Sequence, residues 1–281
     1  MATCYRHPNR ETNVSCSNCG KPICPSCMTP TPVGMRCPDC AGDRTKVRTA
    51  ASIRSASATN TATIALIVVN VIAFLASGQF GLGGTGGGTV VYEKGLLFGP
   101  LVADGEYWRL VTSGFLHANL WHIGLNMYLL WILGGMLEPA VGVARFLTVY
   151  FVALLGGAFG ALVVSPLSPT VGASGAIFGL MGATAVVMHR RGINIFEAGI
   201  GGLILINLVL SFVIPGISVG GHLGGLLAGG LAMLAIHEAD RFRQPVYGYV
   251  AAGVVGVAMV VGSILVADAS QFVGGYSGIN L

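Results

Sequence analysis

"VGASGAIFGL" (residues 171–180) places one serine, Ser174, among glycines and alanines at the start of an apolar run. A serine at a helix start commonly caps the first free backbone N–H groups, and small residues let membrane helices pack closely. A serine can also be a nucleophile if a base lies within hydrogen-bond reach. Which role Ser174 has depends on the solvent around it and on the rest of the chain.

The composition is typical of a membrane protein. Of the 281 residues, 53% are hydrophobic and 9% are charged, and the mean hydropathy is +0.75, whereas soluble domains carry about 25% charged residues. The net charge of +4 is therefore read as information on orientation in a lipid bilayer, and we expect no nucleic-acid partner. The first 60 residues are polar and rich in cysteine, so no signal peptide is predicted.

Seven apolar stretches follow a polar, basic linker at 43–60 and predict seven membrane spans. They lie at 61–78, 119–137, 143–164, 174–189, 198–214, 221–237 and 246–267. Most basic residues flank the span ends that share a side with the N-terminus, whereas the opposite loops hold only Lys94 and Arg109. The positive-inside rule then predicts a cytoplasmic N-terminus and an outer C-terminus in a cell membrane. Abundant Ala and Gly, with more Arg than Lys, indicate a bacterial source.

All seven cysteines lie within the first 40 residues, and with His7 they form four pairs of C-x-x-C or C-x-x-H spacing. The candidate ligands are Cys4, His7, Cys16, Cys19, Cys24, Cys27, Cys37 and Cys40. Eight ligands in this spacing suffice for two tetrahedral zinc sites. The odd cysteine count argues against a closed disulfide framework, and no βαβ context supports a thioredoxin-like redox motif.

The segment 1–42 resembles a B-box-type zinc finger. The resemblance implies cross-braced ligands, with one Zn²⁺ held by the first and third pairs and a second Zn²⁺ by the other two. Spacing alone leaves sequential pairing open. About forty residues bury little apolar surface, so the two structural metals are expected to supply the folding energy. Thiolate sites suit the reducing cytosol, where this domain is a candidate module for binding a protein partner.

The predicted topology places Ser174 and His222 at the same depth on the outer side, because each begins a span that runs inward. Glycines follow on one face of each span; Gly225 and Gly229 share the face of His222. An ionisable residue within a span is costly and usually functional, although a lone histidine could simply bond to a carbonyl. Together the two residues indicate a Ser–His dyad in which His222 accepts the proton of Ser174.

A third set of polar residues lies within "WRLVTSGFLHANLWHIGLNMYLLWILGGMLEP" (108–139). His122 and Asn126 are four residues apart, on one face of the second span at its outer end. Their N–H groups could converge as an oxyanion hole; interhelical hydrogen bonding is the alternative. His117 lies further out and is a candidate for a substrate gate or a structural contact.

The 108–139 segment, "GASG" (172–175) and "GHLGGLLAG" (221–229) occur in an order that resembles a rhomboid intramembrane serine protease over residues 61–240. The resemblance implies Ser174 as nucleophile, His222 as general base, His122 and Asn126 with the Ser174 N–H as oxyanion hole, and Gly172 in the turn that exposes the serine. It also implies that His222 stacks on Phe178, where some members carry Tyr. This departure removes a hydroxyl and keeps the ring face.

The sequence thus predicts an all-α polytopic membrane protein. It comprises a B-box-like domain (1–42), the linker (43–60), a rhomboid-like six-helix core (61–240) and a seventh span with an outer tail (241–281). The predicted function is cleavage of transmembrane protein substrates near the outer face, without metal at the active site. The alternative is a catalytically silent rhomboid-like adaptor whose zinc module recruits partners. The lack of a second carboxylate at membrane depth, of H-E-x-x-H and of a charged pathway argues against an aspartyl protease, a metalloprotease and a transporter.

Overall fold

The structure is a computed structural model that describes residues 2–31, 34–41, 60–82 and 89–274. The chain divides into two compact units, Met1–Ser57 and Ala58–Leu281. The boundary between them falls inside the linker predicted at 43–60. Residues 43–59 of that linker, and residues 275–281 of the predicted last segment, which include its outer tail, lie outside the described residues.

The N-terminal unit is built from two short antiparallel hairpins. Its elements are β1 (Ala2–Cys4), β2 (His7–Thr12), a 3₁₀ turn (Pro25–Cys27), β3 (Thr29–Thr31), β4 (Gly34–Arg36) and a short helix α1 (Pro38–Ala41). Its buried cluster consists of six cysteines and Ile23. One aliphatic side chain cannot offset the entropy of ordering about forty residues. The unit therefore needs another source of folding energy.

Seven long helices form the described part of the second unit. They are α2 (Thr61–Ser77), α6 (Leu120–Val141), α7 (Val143–Val164), α8 (Ser174–Arg190), α9 (Ile200–Val213), α10 (Val219–Arg241) and α11 (Pro245–Gly274). Between α2 and α6 lie α3 (Val90–Gly95), α4 (Gly99–Ala103), α5 (Arg109–Thr112) and a 3₁₀ turn (Ser113–Phe115). Each predicted apolar stretch coincides with one long helix, and α11 extends furthest beyond its prediction.

Helix length separates the seven helices into two groups. Within the described residues, α6, α7, α10 and α11 are long and apolar enough to cross a membrane. Helices α2 and α8 have 17 residues each and α9 has 14. At about 1.5 Å per residue these three are shorter than a hydrocarbon layer of about 30 Å. Seven helices are therefore present as expected, but only four of them have the length of a full span.

The outward faces of the long helices are apolar. Exposed residues recur every three or four positions on α6 (Trp121, Leu125, Tyr128, Trp131) and on α11 (Val246, Val250, Val254, Val257, Val261, Leu265). A continuous stripe of large exposed apolar side chains is unfavourable in water and favourable against lipid tails. The chain is a multi-pass membrane protein.

Helix α10 lies between α7 and α8, and glycines bring the three backbones into contact. A β-carbon on Gly225, Gly229, Gly224 or Gly220 of α10 would collide with the backbone of, in the same order, Gly175, Gly179, Gly156 or Gly160. Small residues allow this approach between membrane helices. The glycine faces predicted on these two spans therefore do meet, and the first turn of α10 lies beside the first turn of α8.

Charged residues gather at the other end of these helices. Arg145, at the start of α7, donates to Asp240 near the end of α10 at 2.7 Å, and Arg190, at the end of α8, contacts Glu238. These ion pairs are about one-third exposed, so each adds little stability. Because Ser174 and Arg190 lie at opposite ends of α8, the candidate site and the charged cluster occupy opposite ends of the bundle.

A buried carboxylate joins α6 to the first long helix. Glu138, which is 2% exposed, accepts hydrogen bonds from the backbone N–H groups of Ala62 at 2.9 Å and Thr63 at 2.8 Å. The Thr63 hydroxyl donates to it at 2.6 Å. The N-cap residue Asn60 makes no side-chain cap bond. Glu138 therefore caps α2 from another helix, where the positive end of the helix dipole favours its charge.

Candidate active site

The turn before α8 presents Ser174 to the site. Gly172 adopts a φ of +133°, a backbone conformation that residues with a β-carbon rarely adopt. Its N–H donates to the Ser113 carbonyl at 2.9 Å. The N-cap of α8 is Ala173, which makes no side-chain cap bond, and Ser174 is the first helical residue. The capping role considered for Ser174 is therefore wrong, and its hydroxyl is directed toward α10.

Ser174 and His222 meet across the contact between α8 and α10. The distance from Ser174 Oγ to His222 Nε2 is 2.9 Å, which is within the range of a hydrogen bond between a nucleophile and its base. His222 lies in the first turn of α10 and is 8% exposed. This geometry allows the imidazole to accept the serine proton.

Phe178 lies one turn after Ser174 and stacks on the ring of His222. The ring centroids are 4.0 Å apart and the planes differ by 16°. Phe178 is itself 2% exposed, so it is held by the surrounding core. The stacking expected from the resemblance is present, and it fixes the plane of the imidazole without needing a tyrosine hydroxyl.

Ser211 is a contact of the site that the sequence did not reveal. Its Oγ lies 2.6 Å from His222 Nδ1, on the side of the ring opposite Ser174. Ser211 is in the last turn of α9 and is 3% exposed. The one available signal was its position eleven residues before His222, across the short loop between α9 and α10. A serine at such a place has too many ordinary roles to be singled out.

His122 borders the serine through the Gly172 turn. A β-carbon placed on Gly172 would lie 2.7 Å from His122 Nε2 and 3.7 Å from Ser174 Oγ. The Ala118 N–H donates to His122 Nδ1 at 3.4 Å. Because an accepting ring nitrogen carries no hydrogen in the neutral imidazole, Nε2 bears the proton and is a donor on the side of Ser174.

Asn126 and His117 support His122 in different ways. The Asn126 side-chain amide donates to the His122 carbonyl at 2.8 Å, and Asn126 is 5% exposed. An amide has two N–H groups, so one remains beyond this bond. His117 is fully buried and packs edge-on against His122 with ring centroids 5.0 Å apart. Of the two roles considered for His117, this packing favours the structural one.

The eight candidate metal ligands of the N-terminal unit form two clusters. One cluster is Cys4, His7, Cys24 and Cys27, and the other is Cys16, Cys19, Cys37 and Cys40; in each, the ligand atoms lie within 4.8 Å of one another. This is the cross-braced grouping, and the sequential grouping is not formed. All seven cysteines are free thiols.

The spacing of the ligand atoms fits a tetrahedral metal. A zinc ion with Zn–S bonds of about 2.3 Å holds its sulfurs about 3.8 Å apart. Cys4 Sγ and Cys27 Sγ are 3.9 Å apart, and Cys19 Sγ and Cys37 Sγ are 3.8 Å apart. His7 Nδ1 lies 3.3 Å from Cys27 Sγ. Both clusters are therefore able to hold a metal ion.

Comparison with known proteins gives a family match for the helical part of the chain. A family profile described as the rhomboid domain matches residues 104–239. Rhomboid protease GluP of Bacillus subtilis (strain 168) is 36% identical over 167 residues, which are 56% of this chain and 33% of GluP. The Arabidopsis thaliana protein named inactive RHOMBOID-like protein 8 is 28% identical over 168 residues, 57% of this chain and 47% of its own length.

The chain covers less than half the length of each of these two relatives. It covers most of the length of another relative. The putative rhomboid protease YdcA of Bacillus subtilis (strain 168) is 37% identical over 145 residues, which are 50% of this chain and 73% of YdcA. The residues matched by the rhomboid profile, 104–239, include Ser174 and His222. The chain therefore belongs to the rhomboid family.

Proposed function

We propose that the protein is an intramembrane serine endopeptidase that cleaves transmembrane protein substrates with a Ser174–His222 dyad. The observation that carries the proposal is the 2.9 Å contact between Ser174 Oγ and His222 Nε2 at the end of a membrane bundle. A serine hydroxyl is a poor nucleophile unless a base removes its proton. The relatives named as proteases support the same reaction class.

The dyad acts by moving one proton between two atoms. His222 Nε2 accepts the proton of Ser174 Oγ as that oxygen attacks the scissile carbonyl. The same proton passes to the leaving amine, which leaves an acyl group on Ser174. A water molecule then gives a proton to His222 Nε2 and attacks the acyl carbon. As the bond from the acyl carbon to Ser174 Oγ breaks, that proton passes to Oγ and the carboxylic acid product leaves. No metal takes part in these steps.

The oxyanion of each tetrahedral intermediate is stabilised by hydrogen-bond donors near Ser174. The first four N–H groups of a helix have no partner within it, so the N–H of Ser174, the first residue of α8, is free of the helix's own bonds. His122 Nε2–H lies beside the Gly172 turn, and the remaining N–H of Asn126 is the third donor. Donors fixed before the reaction stabilise the charge that develops in it.

The position of the site sets where a substrate would be cut. Ser174, His122 and His222 all lie in the first turn of their helices, and the charged cluster is at the opposite end. With the N-terminal unit in the cytoplasm, the site lies near the outer membrane face and the C-terminus lies outside. The substrates would then be transmembrane proteins cleaved close to that face.

The N-terminal unit is proposed to bind two structural zinc ions. Cys4, His7, Cys24 and Cys27 would hold one and the remaining four cysteines the other, and the metals would supply the folding energy that a cysteine core lacks. A domain of the B-box type would serve to bind a cytosolic protein.

A fluorophosphonate probe tests the proposed activity directly. The wild-type protein in liposomes should be labelled at Ser174 and should cleave a transmembrane reporter substrate. Ser174→Ala removes a single oxygen and should abolish both signals while the protein keeps its thermal stability. A folded Ser174→Ala protein that cleaves at the wild-type rate would eliminate the proposed mechanism.

A catalytically silent adaptor is the second candidate function. It is favoured by the similarity to the Arabidopsis protein named inactive, and the zinc unit would then be the recruiting module. An adaptor would bind transmembrane helices without labelling or cleavage in the wild-type protein. The same experiment therefore separates the two candidates.

A further inference from the structure

The proton positions around Ser211 can be assigned by counting donors. A serine hydroxyl has one hydrogen to donate. Ser211 Oγ lies 2.7 Å from the carbonyl oxygen of Asn207, one turn back in α9. A carbonyl can only accept, so the hydroxyl hydrogen is used in that bond.

In the contact between Ser211 and His222, the imidazole must therefore be the donor. Ser211 Oγ and His222 Nδ1 are 2.6 Å apart, and one of the two atoms must supply a hydrogen. Since the Ser211 hydrogen is directed to Asn207, Nδ1–H of His222 is the donor and Ser211 Oγ the acceptor. In the neutral imidazole, a protonated Nδ1 leaves Nε2 without a hydrogen. That is the nitrogen that faces Ser174 at 2.9 Å.

We propose that Ser211 is a positioning residue that holds His222 in the tautomer able to act as a base. The proposal rests on the proposed function of the dyad and adds a third member to it from a third helix. Without an acceptor at Nδ1, the ring could place its hydrogen on Nε2. It would then donate to Ser174 instead of accepting its proton. Ser211 also accepts a hydrogen bond from the imidazolium that forms when Ser174 is deprotonated.

The placement of Ser211 is unusual for its helix. The residues that follow it, Phe212 and Val213, are each 69% exposed, whereas Ser211 is 3% exposed. Within α9 the buried residues are Ile200, Gly201 and Ser211. The end of α9 therefore contacts the bundle through the serine that meets the catalytic histidine, and this contact is built into the site.

The tautomer can be measured without any turnover. Protein labelled with ¹⁵N-histidine distinguishes protonated from unprotonated ring nitrogens, and the His222 signals are assigned by their loss in His222→Ala. The wild-type protein should show Nδ1–H with an unprotonated Nε2. Ser211→Ala should move His222 at least partly to the Nε2–H tautomer, whereas Ser211→Thr, which keeps the hydroxyl, should retain the wild-type signals.

Kinetics provides the second readout and α11 provides a matched control. Ser263 is 1% exposed, and its hydroxyl donates to the Met259 carbonyl at 2.7 Å, the same bond that Ser211 makes within its own helix. Ser211→Ala should lower kcat about tenfold with little change in KM, because one tenfold step corresponds to about 1.4 kcal/mol, the scale of a lost hydrogen bond to a charged group. Ser263→Ala should leave kcat unchanged.

Each outcome decides a separate question. An unchanged His222 tautomer in Ser211→Ala, with kcat equal to that of Ser263→Ala, would overturn the role of Ser211 and leave the proposed protease intact. A shifted tautomer together with full cleavage by Ser174→Ala would instead remove the proposed function, although Ser211 would still orient His222. Loss of kcat without a tautomer change would also overturn the proposal, because Ser211 would then not set the tautomer of His222.

Discussion

Gly172 and His122 approach so closely that no side chain fits between them. A β-carbon on Gly172 would lie 2.7 Å from His122 Nε2, and the backbone there has φ of +133°. The glycine therefore meets two demands at once: it forms the turn that exposes Ser174, and it leaves room for the imidazole of the proposed oxyanion hole.

The substitution Gly172→Ala should consequently impair catalysis more than folding. Displacing one oxyanion donor typically costs on the order of 10²–10³ in rate, so cleavage of the reporter should fall by about that factor. Gly192→Ala is the matched control, because Gly192 also has positive φ (+70°) but open space around its β-carbon position. Steady-state kinetics should show Gly192→Ala near wild type. Equal losses in the two variants would mean that backbone strain alone explains the effect.

The two members of the dyad should behave as one unit. Ser174→Ala and His222→Ala should each abolish cleavage, and the double variant should be little worse than either, because the two groups act in the same step. Asn126→Ala should retain slow turnover, reduced by on the order of 10²–10³, since it removes one of several donors. Single-turnover assays compare the four proteins. Strictly additive losses for Ser174 and His222 would contradict a shared proton transfer.

The cap that Glu138 makes on α2 should contribute to stability. Glu138→Gln replaces one carboxylate oxygen by an NH₂ group that faces backbone N–H donors, which should cost about 1–3 kcal/mol of unfolding free energy. Glu197→Gln serves as the control, because Glu197 is exposed and surface changes usually stay within about 0.5 kcal/mol. Unfolding in detergent measures both. Identical stabilities would show that α2 does not depend on this cap.

Zinc stoichiometry can test both the metal and the ligand pairing. Elemental analysis of the purified protein should give about two zinc ions per chain, as eight ligands imply. The double variant Cys4→Ala/Cys24→Ala removes two ligands of one cross-braced site and should keep one zinc. Cys4→Ala/Cys16→Ala damages both sites and should keep none. Sequential pairing predicts the reverse for the two variants.

Removal of the metal should leave the reaction unaffected. A fragment of residues 49–281 lacks every candidate zinc ligand, and its cleavage of the reporter should not change when a chelator is added. Strong inhibition of that fragment by the chelator would mean that the reaction at Ser174 requires a metal.

The orientation in the membrane is open to direct labelling. A cysteine introduced at Ser168, in the exposed loop between α7 and α8, should react with an impermeant maleimide added to intact cells. A cysteine introduced at Arg191, after the other end of α8, should react only after the cells are opened. The protein without either substitution shows the background from its own cysteines. The opposite pattern would place the dyad at the cytoplasmic face.

Features that depend on local sequence were predictable. A long apolar run that enters a membrane must satisfy its own backbone hydrogen bonds, and a helix does so within the run itself. The seven apolar stretches therefore coincide with seven helices. The glycines after Ser174 and His222 indicated that α8 and α10 pack together, and the structure has both residues at that contact. Likewise, C-x-x-C spacing indicates a pair of metal ligands from the local sequence alone.

Other features depend on contacts between segments that are separated along the chain, and the sequence alone does not say which segments come together. The cross-braced clusters need Cys4 beside Cys24, a pairing that spacing leaves open because each two-residue pair has the same local geometry. The lengths of α2, α8 and α9 reflect where caps and turns end them, and hydropathy does not register those ends. Ser211 meets His222 because the end of α9 and the start of α10 come together across a short loop. Its hydrogen bond follows from the position of a whole helix, and only the tertiary structure decides that position.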